Sequence, residues 1–272
     1  MKQTLAALAS IAFGLALTPA EALAAPRQPV RPWVVDYGET NCSASRAYGS
    51  SEAPLMLAFR PSPKGNVMDL ILARTAQVSA PQQLAVTVTL GDTPLKTTLM
   101  RHAAADKKSE VLRMSFNRAD LDQLVGAGRV RVASARVIDE EFAVPGMKSV
   151  LKSLDACATD LQRHWNVGEA AEAGLKSKAA AVKPLFSYFS DRDYPDMAFT
   201  KDMTGRTEVL LLIDEAGVLK DCSVESTSGI ASLDVMSCQV LRQRAKFRPA
   251  IDAAGKSVKG VINSAIRWKM SD

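Results

Sequence analysis

Across residues 194–272 the hydropathy pattern changes period in a fixed order, and that order admits few folds. Residues 207–213 read as a strand, with Val209, Leu211 and Ile213 on one side and Leu210 and Leu212 on the other, as in a strand covered on both faces along part of its length. Asp214-Glu215-Ala216-Gly217 then supplies a hairpin turn in which Gly217 takes the positive φ. A second strand is predicted over 218–225, with Val218, Lys220, Cys222 and Val224 pointing one way. After Thr227-Ser228-Gly229 the period lengthens to that of a helix over 233–244. Its apolar side is Leu233, Met236, Val240 and Leu241, Ser232 is the expected cap, and Asp234 sits in the first turn where the dipole favours it. Alternation returns over 258–270, completing an antiparallel sheet with one main packing helix.

The last strand places Val258, Ile262, Ile266 and Trp268 on one face and Lys259, Asn263, Arg267 and Lys269 on the other. Only Ser271 and Asp272 follow it here, so its outer edge is expected to be uncovered, with main-chain N–H and C=O groups open to an added strand. Val258, Gly260, Ile262, Ser264, Ile266 and Trp268 are the candidate residues of that edge. Arg242, Arg244, Lys246 and Arg248 form a basic cluster at the helix end. It reads either as a complement to the helix dipole or as a docking cluster for an acidic surface.

Residues 26–166 read as a β-rich domain closed by a helix. Short apolar runs at 55–60 and 67–73 are separated by Pro61, Pro63 and Gly65; 84–90 and 95–100 alternate about a Gly91-Asp92-Thr93-Pro94 turn; 110–116 and 129–133 are further strands. Asn117 is the expected cap of a short helix. Met147, Val150, Leu151, Leu154, Ala158, Leu161 and Trp165 recur at helical spacing. The following stretch, 167–186, is rich in Ala, Glu and Lys and reads as a linker or an exposed helix.

Residues 1–25 have the pattern of a signal peptide: Lys2, an apolar stretch at 5–17, Pro19, and small residues at Ala22-Leu23-Ala24. That apolar stretch is shorter than the ~20 residues a bilayer core requires. An oxidising compartment suits the four cysteines, which show neither a CxxC nor a metal-ligand spacing. Pairing Cys42 with Cys157 and Cys222 with Cys238 keeps each bridge inside one expected domain. The net charge of +5, with no arginine-rich stretch carrying interleaved aromatics, argues against nucleic acid. No catalytic, metal or cofactor constellation is read. His102 and His164 stand apart, Asp191-Arg192-Asp193 lacks the other ligands of a calcium loop, and Ser226-Thr227-Ser228-Gly229 lacks the spacing of a nucleophile elbow.

Residues Tyr194-Pro195, Ala198, Gly205, Val209, Ile213-Asp214, Gly217-Val218, Val224, Ser228-Gly229, Leu233-Asp234, Phe247, Pro249-Ala250, Gly255, Val258 and Trp268 follow one another as in the TonB C-terminal domain, and the block at 187–272 resembles that family. The resemblance implies a small α+β domain whose last strand grips a short peptide of an outer-membrane transporter. Family transducers also keep an N-terminal membrane helix with a polar residue such as histidine, and a proline-rich spacer. Here the leader has no histidine and a β-rich domain stands in the spacer's place. The expectation is an exported two-domain α+β protein of the periplasm, not an enzyme, that recognises extended peptides of transporters or other envelope proteins. Homodimerisation is open to it, and membrane contact comes only through partners unless the leader is retained. An inner-membrane-anchored transducer with a retained leader, or an envelope hydrolase, are the alternative readings.

Overall fold

The structure, a computed structural model, describes residues 25–104, 107–135 and 137–270, so all but the last residue of the expected leader lies outside it. Nine antiparallel strands build the first sheet: β1 Val34–Tyr37, β2 Cys42–Gly49, β3 Pro54–Pro61, β4 Val67–Thr75, β5 Gln82–Leu90, β6 Thr93–Ala103, β7 Ser109–Asn117, β8 Arg129–Ser134 and β9 Ile138–Ala143. Their order is β1-β2-β3-β4-β7-β6-β5-β8-β9. The sheet curls, and residues 27–30 bridge its two ends. The amide of Arg27 donates to Glu141 O (2.7 Å) and that of Val30 to Ala47 O (3.0 Å), while Tyr48 Oη donates to Ala143 O (2.7 Å). Bonds of this kind leave less open strand edge than a flat sheet would.

Alternation decides what fills the curl. Leu57 and Phe59 of β3, Met68, Leu70 and Leu72 of β4, and Leu112 and Met114 of β7 point inward and are fully buried. They meet the helix Met147–Trp165, whose Val150, Leu151, Leu154, Leu161 and Trp165 are buried on one stripe. A Cys42–Cys157 disulfide joins β2 to that helix. The short helix expected after Asn117 is a 3₁₀ turn, Arg118–Asp122, running into α1, Gln123–Ala127, and the Asn117 side chain makes no cap bond. The long helix is therefore α2. Strand β9 has no sequence counterpart above because its Asp139-Glu140-Glu141 reads as a polar loop. Arg131, Arg27 and Arg129 pair with those three carboxylates.

The stretch read as a linker differs from that expectation. It contains α3, Glu169–Ala173, and the strands β10, Leu175–Ser177, and β11, Ala180–Ala181. β11 pairs with β14, Phe247–Arg248. β10 pairs with β15, Ala250–Asp252, which also pairs with β16, Ser257–Val258. Small side chains serve close packing here. A Cβ on Gly260 would lie 2.8 Å from Ala250 Cβ and 3.2 Å from Ala179 Cβ, so these segments touch where only glycine and alanine fit.

The remaining elements are α4, Asp196–Thr200; β12, Gly205–Ile213; β13, Leu219–Ser226; α5, Ala231–Arg244; and β17, Gly260–Trp268. Their sheet order is β13-β12-β17, all antiparallel. Three boundaries depart from the expectation. Val218 lies in the turn and is exposed. Val258 belongs to β16, and the edge strand starts two residues later. Helix α5 begins at Ala231, so Ser232 lies inside it. The residue before the helix, Ile230, gives no side-chain cap; Asp234 instead accepts from Thr207 Oγ1 (2.7 Å), from Thr227 Oγ1 and from the Ser228 amide (2.8 Å).

Strand β12 is covered on both sides. Val209, Leu211 and Ile213 pack with Leu233 and Leu241 of α5. Leu210 and Leu212, with Val261 of β17, enter the core of the nine-stranded sheet instead. At ~1.5–3 kcal/mol for each fully buried aliphatic side chain, these three bind the two parts by several kcal/mol.

Candidate peptide-binding edge

Strand β17 is an edge. Gly205↔Trp268 through Ile213↔Gly260 pair it with β12, and among the described residues no strand pairs with its other side. Its even-numbered residues turn toward α5: Ile266 and Trp268 are buried, Ile262 and Ser264 half-buried, and Gly260 is packed against Ala250. Of the six edge residues named from sequence, five are thus in one strand and Val258 is not. Their side chains mostly face the core, so an incoming chain would meet them chiefly through backbone. The side chains that reach solvent are Asn263 and Arg267, with Lys269 just beyond the strand. The alternation placed these on the outer face without marking them as site residues.

Each end of β17 is held. At the far end Trp268 Nε1–H donates to Ser237 Oγ (2.9 Å), and Phe189 and Tyr194 stand edge-on to its ring, both at 5.4 Å. Tyr194 Oη donates to Met203 O (2.6 Å), which folds the segment around α4 against the same end. At the start Lys259 is clamped by the N-terminal part. Its Nζ reaches Glu39 (3.0 Å) and His164 Nε2 (2.5 Å) and lies 4.9 Å from the Trp165 ring centre, while Asn166 Nδ2 donates to Lys259 O (2.8 Å). The ammonium's hydrogen bond holds the Glu39 carboxyl below the usual glutamate range.

The outer side of β13, the other edge, faces the first sheet. Arg113 of β7 donates from Nη2 to Val224 O (2.9 Å), and its Nε stands 2.9 Å from Asp69, which also receives Arg60 (2.9 Å) and the Ser115 hydroxyl (2.7 Å). Beside them the Glu225 carboxylate is shut off from solvent with no well-aligned hydrogen bond. Burial pushes its carboxyl up, partly offset by Lys64, Ser62 and Arg113, with Asp69 adding to the rise.

The basic cluster is partly consumed inside the fold. Arg242 donates to Asp221 (2.6 Å) and Cys222 O (3.1 Å). Arg244 makes a two-pronged contact with Asp193, both bonds 2.7 Å, and that pairing holds the Asp193 carboxyl below its usual range. Lys246 and Arg248 remain exposed. The second disulfide, Cys222–Cys238, ties β13 to α5.

Residues 190–270 match the family model described as Gram-negative bacterial TonB protein C-terminal, which spans α4, β12, β13, α5 and β17. No curated protein matches the chain.

Proposed function

We propose that the chain is a TonB-like envelope protein that binds extended peptides of outer-membrane transporters or other envelope proteins along β17, in or around TonB-dependent transport, without a catalytic step. The observation that carries this reading is the free outer edge of β17 within the segment that matches the TonB C-terminal family. Added strands gain affinity from main-chain hydrogen bonds, and β17 is pre-organised for them by the Lys259 clamp at one end and the Trp268 ring stack at the other. Rigid anchoring lowers the ordering cost that binding must meet.

Hydrogen exchange of the oxidised full chain with transporter N-terminal peptides tests it. Binding by strand addition slows exchange at amides of β17 while those of β13 stay unchanged. Protection centred on Lys246 and Arg248, with β17 unaffected, would point to docking on the helix end and against the edge.

A further inference from the structure

Arg267 and Lys269 are exposed, two residues apart, and neither makes an ion pair or side-chain hydrogen bond among the described residues. In register, Arg267 stands directly opposite Arg206 of β12. Like charges opposed across a ladder are unfavourable, and Glu208 pairs with Arg206, which leaves Arg267 as the uncompensated member. Asn263, on the same face, adds an exposed amide. Thus the outward face of the free edge carries two unanswered cations and one neutral polar group, with no carboxylate of β17 beside them.

We propose that the strand received by β17 is acidic, with Asp or Glu at alternate positions on the Arg267 and Lys269 side and small or β-branched residues between. This rests on the strand-addition reading above and specifies its ligand. The geometry makes the spacing definite. Side chains two residues apart in a strand share a face and lie ~6.6–6.8 Å apart, and Lys269 follows Arg267 by two residues just past the end of β17. A neighbouring strand brings its side chains ~4.5–5.5 Å from those directly opposite, within reach of a carboxylate–guanidinium contact. The occupant is therefore an extended acidic segment of an envelope protein and not a lipid or polymer surface, because the cations flank a row of open backbone groups that only a peptide can use.

Four capped nine-residue peptides, titrated against the oxidised full chain, test this: alternating Glu and Val, Gln and Val, Lys and Val, and the Glu peptide N-methylated at alternate amides. The expected result is that the Glu peptide binds about fivefold to tenfold tighter than the Gln peptide, that added salt erodes this margin, and that N-methylation abolishes binding. In the R267E/K269E variant the order of the Glu and Lys peptides inverts. Equal binding of the Glu and Gln peptides, both lost on N-methylation, overturns the acidic specificity and leaves strand addition standing. Equal binding of the methylated and unmethylated Glu peptides overturns strand addition itself and marks simple surface attraction. Binding of none of the peptides overturns both.

Discussion

Asp234 is 2% exposed and accepts from two threonine hydroxyls and the Ser228 amide, so it stitches β12, the loop after β13 and the first turn of α5 at one point. Alanine there strands three donors at or near the interior. Hydrogen bonds to a charged acceptor contribute about 1.5–3 kcal/mol each, not additively. Asp234→Ala is expected to cost about 3 kcal/mol in urea denaturation and Asp234→Asn about 1 kcal/mol less than that, because one acceptor oxygen remains. Glu225 behaves in the opposite sense. Its carboxyl is raised in the folded chain by burial, so the folded state holds a proton that the unfolded state releases near the ordinary glutamate value of about 4.3. The contribution to stability is present below that value and is lost as pH rises through the folded one. The groups facing it are Lys64 and Ser62 from the β3–β4 turn, Asp69 of β4 and Arg113 of β7. Glu225→Gln removes the proton linkage and is expected to raise stability at pH 7, and to flatten the decline of Tm with pH above about 4.3. A variant whose Tm–pH curve runs parallel to the parent's would mean that Lys64 and Arg113 already balance the charge.

The Cys222–Cys238 bridge closes a short loop, with a sequence separation of 16, and fastens β13 to α5. In the chain-entropy model a loop of that size is worth about 3 kcal/mol. Replacing both cysteines by serine is expected to lower Tm accordingly while changing peptide affinity less than twofold, since β13 lies on the far side of β12 from β17. A large loss of affinity would show that α5 shifts when the staple is gone. The elements with a regular apolar alternation or repeat were legible in sequence: β5, β6 and α2 follow from Leu84, Val86, Val88, from Leu95, Leu99, and from the Val150–Trp165 stripe. Strand β9 was not, because Asp139, Glu140 and Glu141 look solvated until arginines on β8 and at Arg27 are placed beside them. The alanines at 179–181 read as part of a linker or an exposed helix, yet the small side chain of Ala179 is what allows contact with Gly260. The edge itself was legible from alternation after Gly260. The division of the basic cluster was not, because the carboxylates that engage Arg242 and Arg244, Asp221 and Asp193, are 21 and 51 residues away in sequence.

At the scale of the molecule, the TonB-like segment is built into the fold that precedes it. One face of β12, through Leu210 and Leu212, and Val261 of β17 complete the core of the curled sheet, while β10 and β11 extend the C-terminal part from the preceding chain. Interfaces between domains that move freely are smaller and more polar than this continuous apolar contact. The oxidised full chain is therefore expected to unfold in one calorimetric transition, with agreement between the calorimetric and van't Hoff enthalpies. Two separated transitions would mean the shared core couples the parts weakly. The fragment 187–272 provides the sharper case, for it exposes Leu210, Leu212 and Val261 together and lacks β10 and β11. Contiguous apolar surface of that kind drives self-association, so the fragment is expected to dimerise or aggregate at micromolar concentration. Leu210→Thr with Leu212→Thr keeps β propensity on a face that water now reaches and is expected to make the fragment monomeric by sedimentation. The same two substitutions in the full chain bury hydroxyls and open space where leucines filled the core, each costing about 3 kcal/mol. Opposite signs in fragment and full chain are what a borrowed core requires; a wild-type fragment that is monomeric and stable would contradict it, and β17 would then belong to an independent module whose edge needs no support from the nine-stranded sheet.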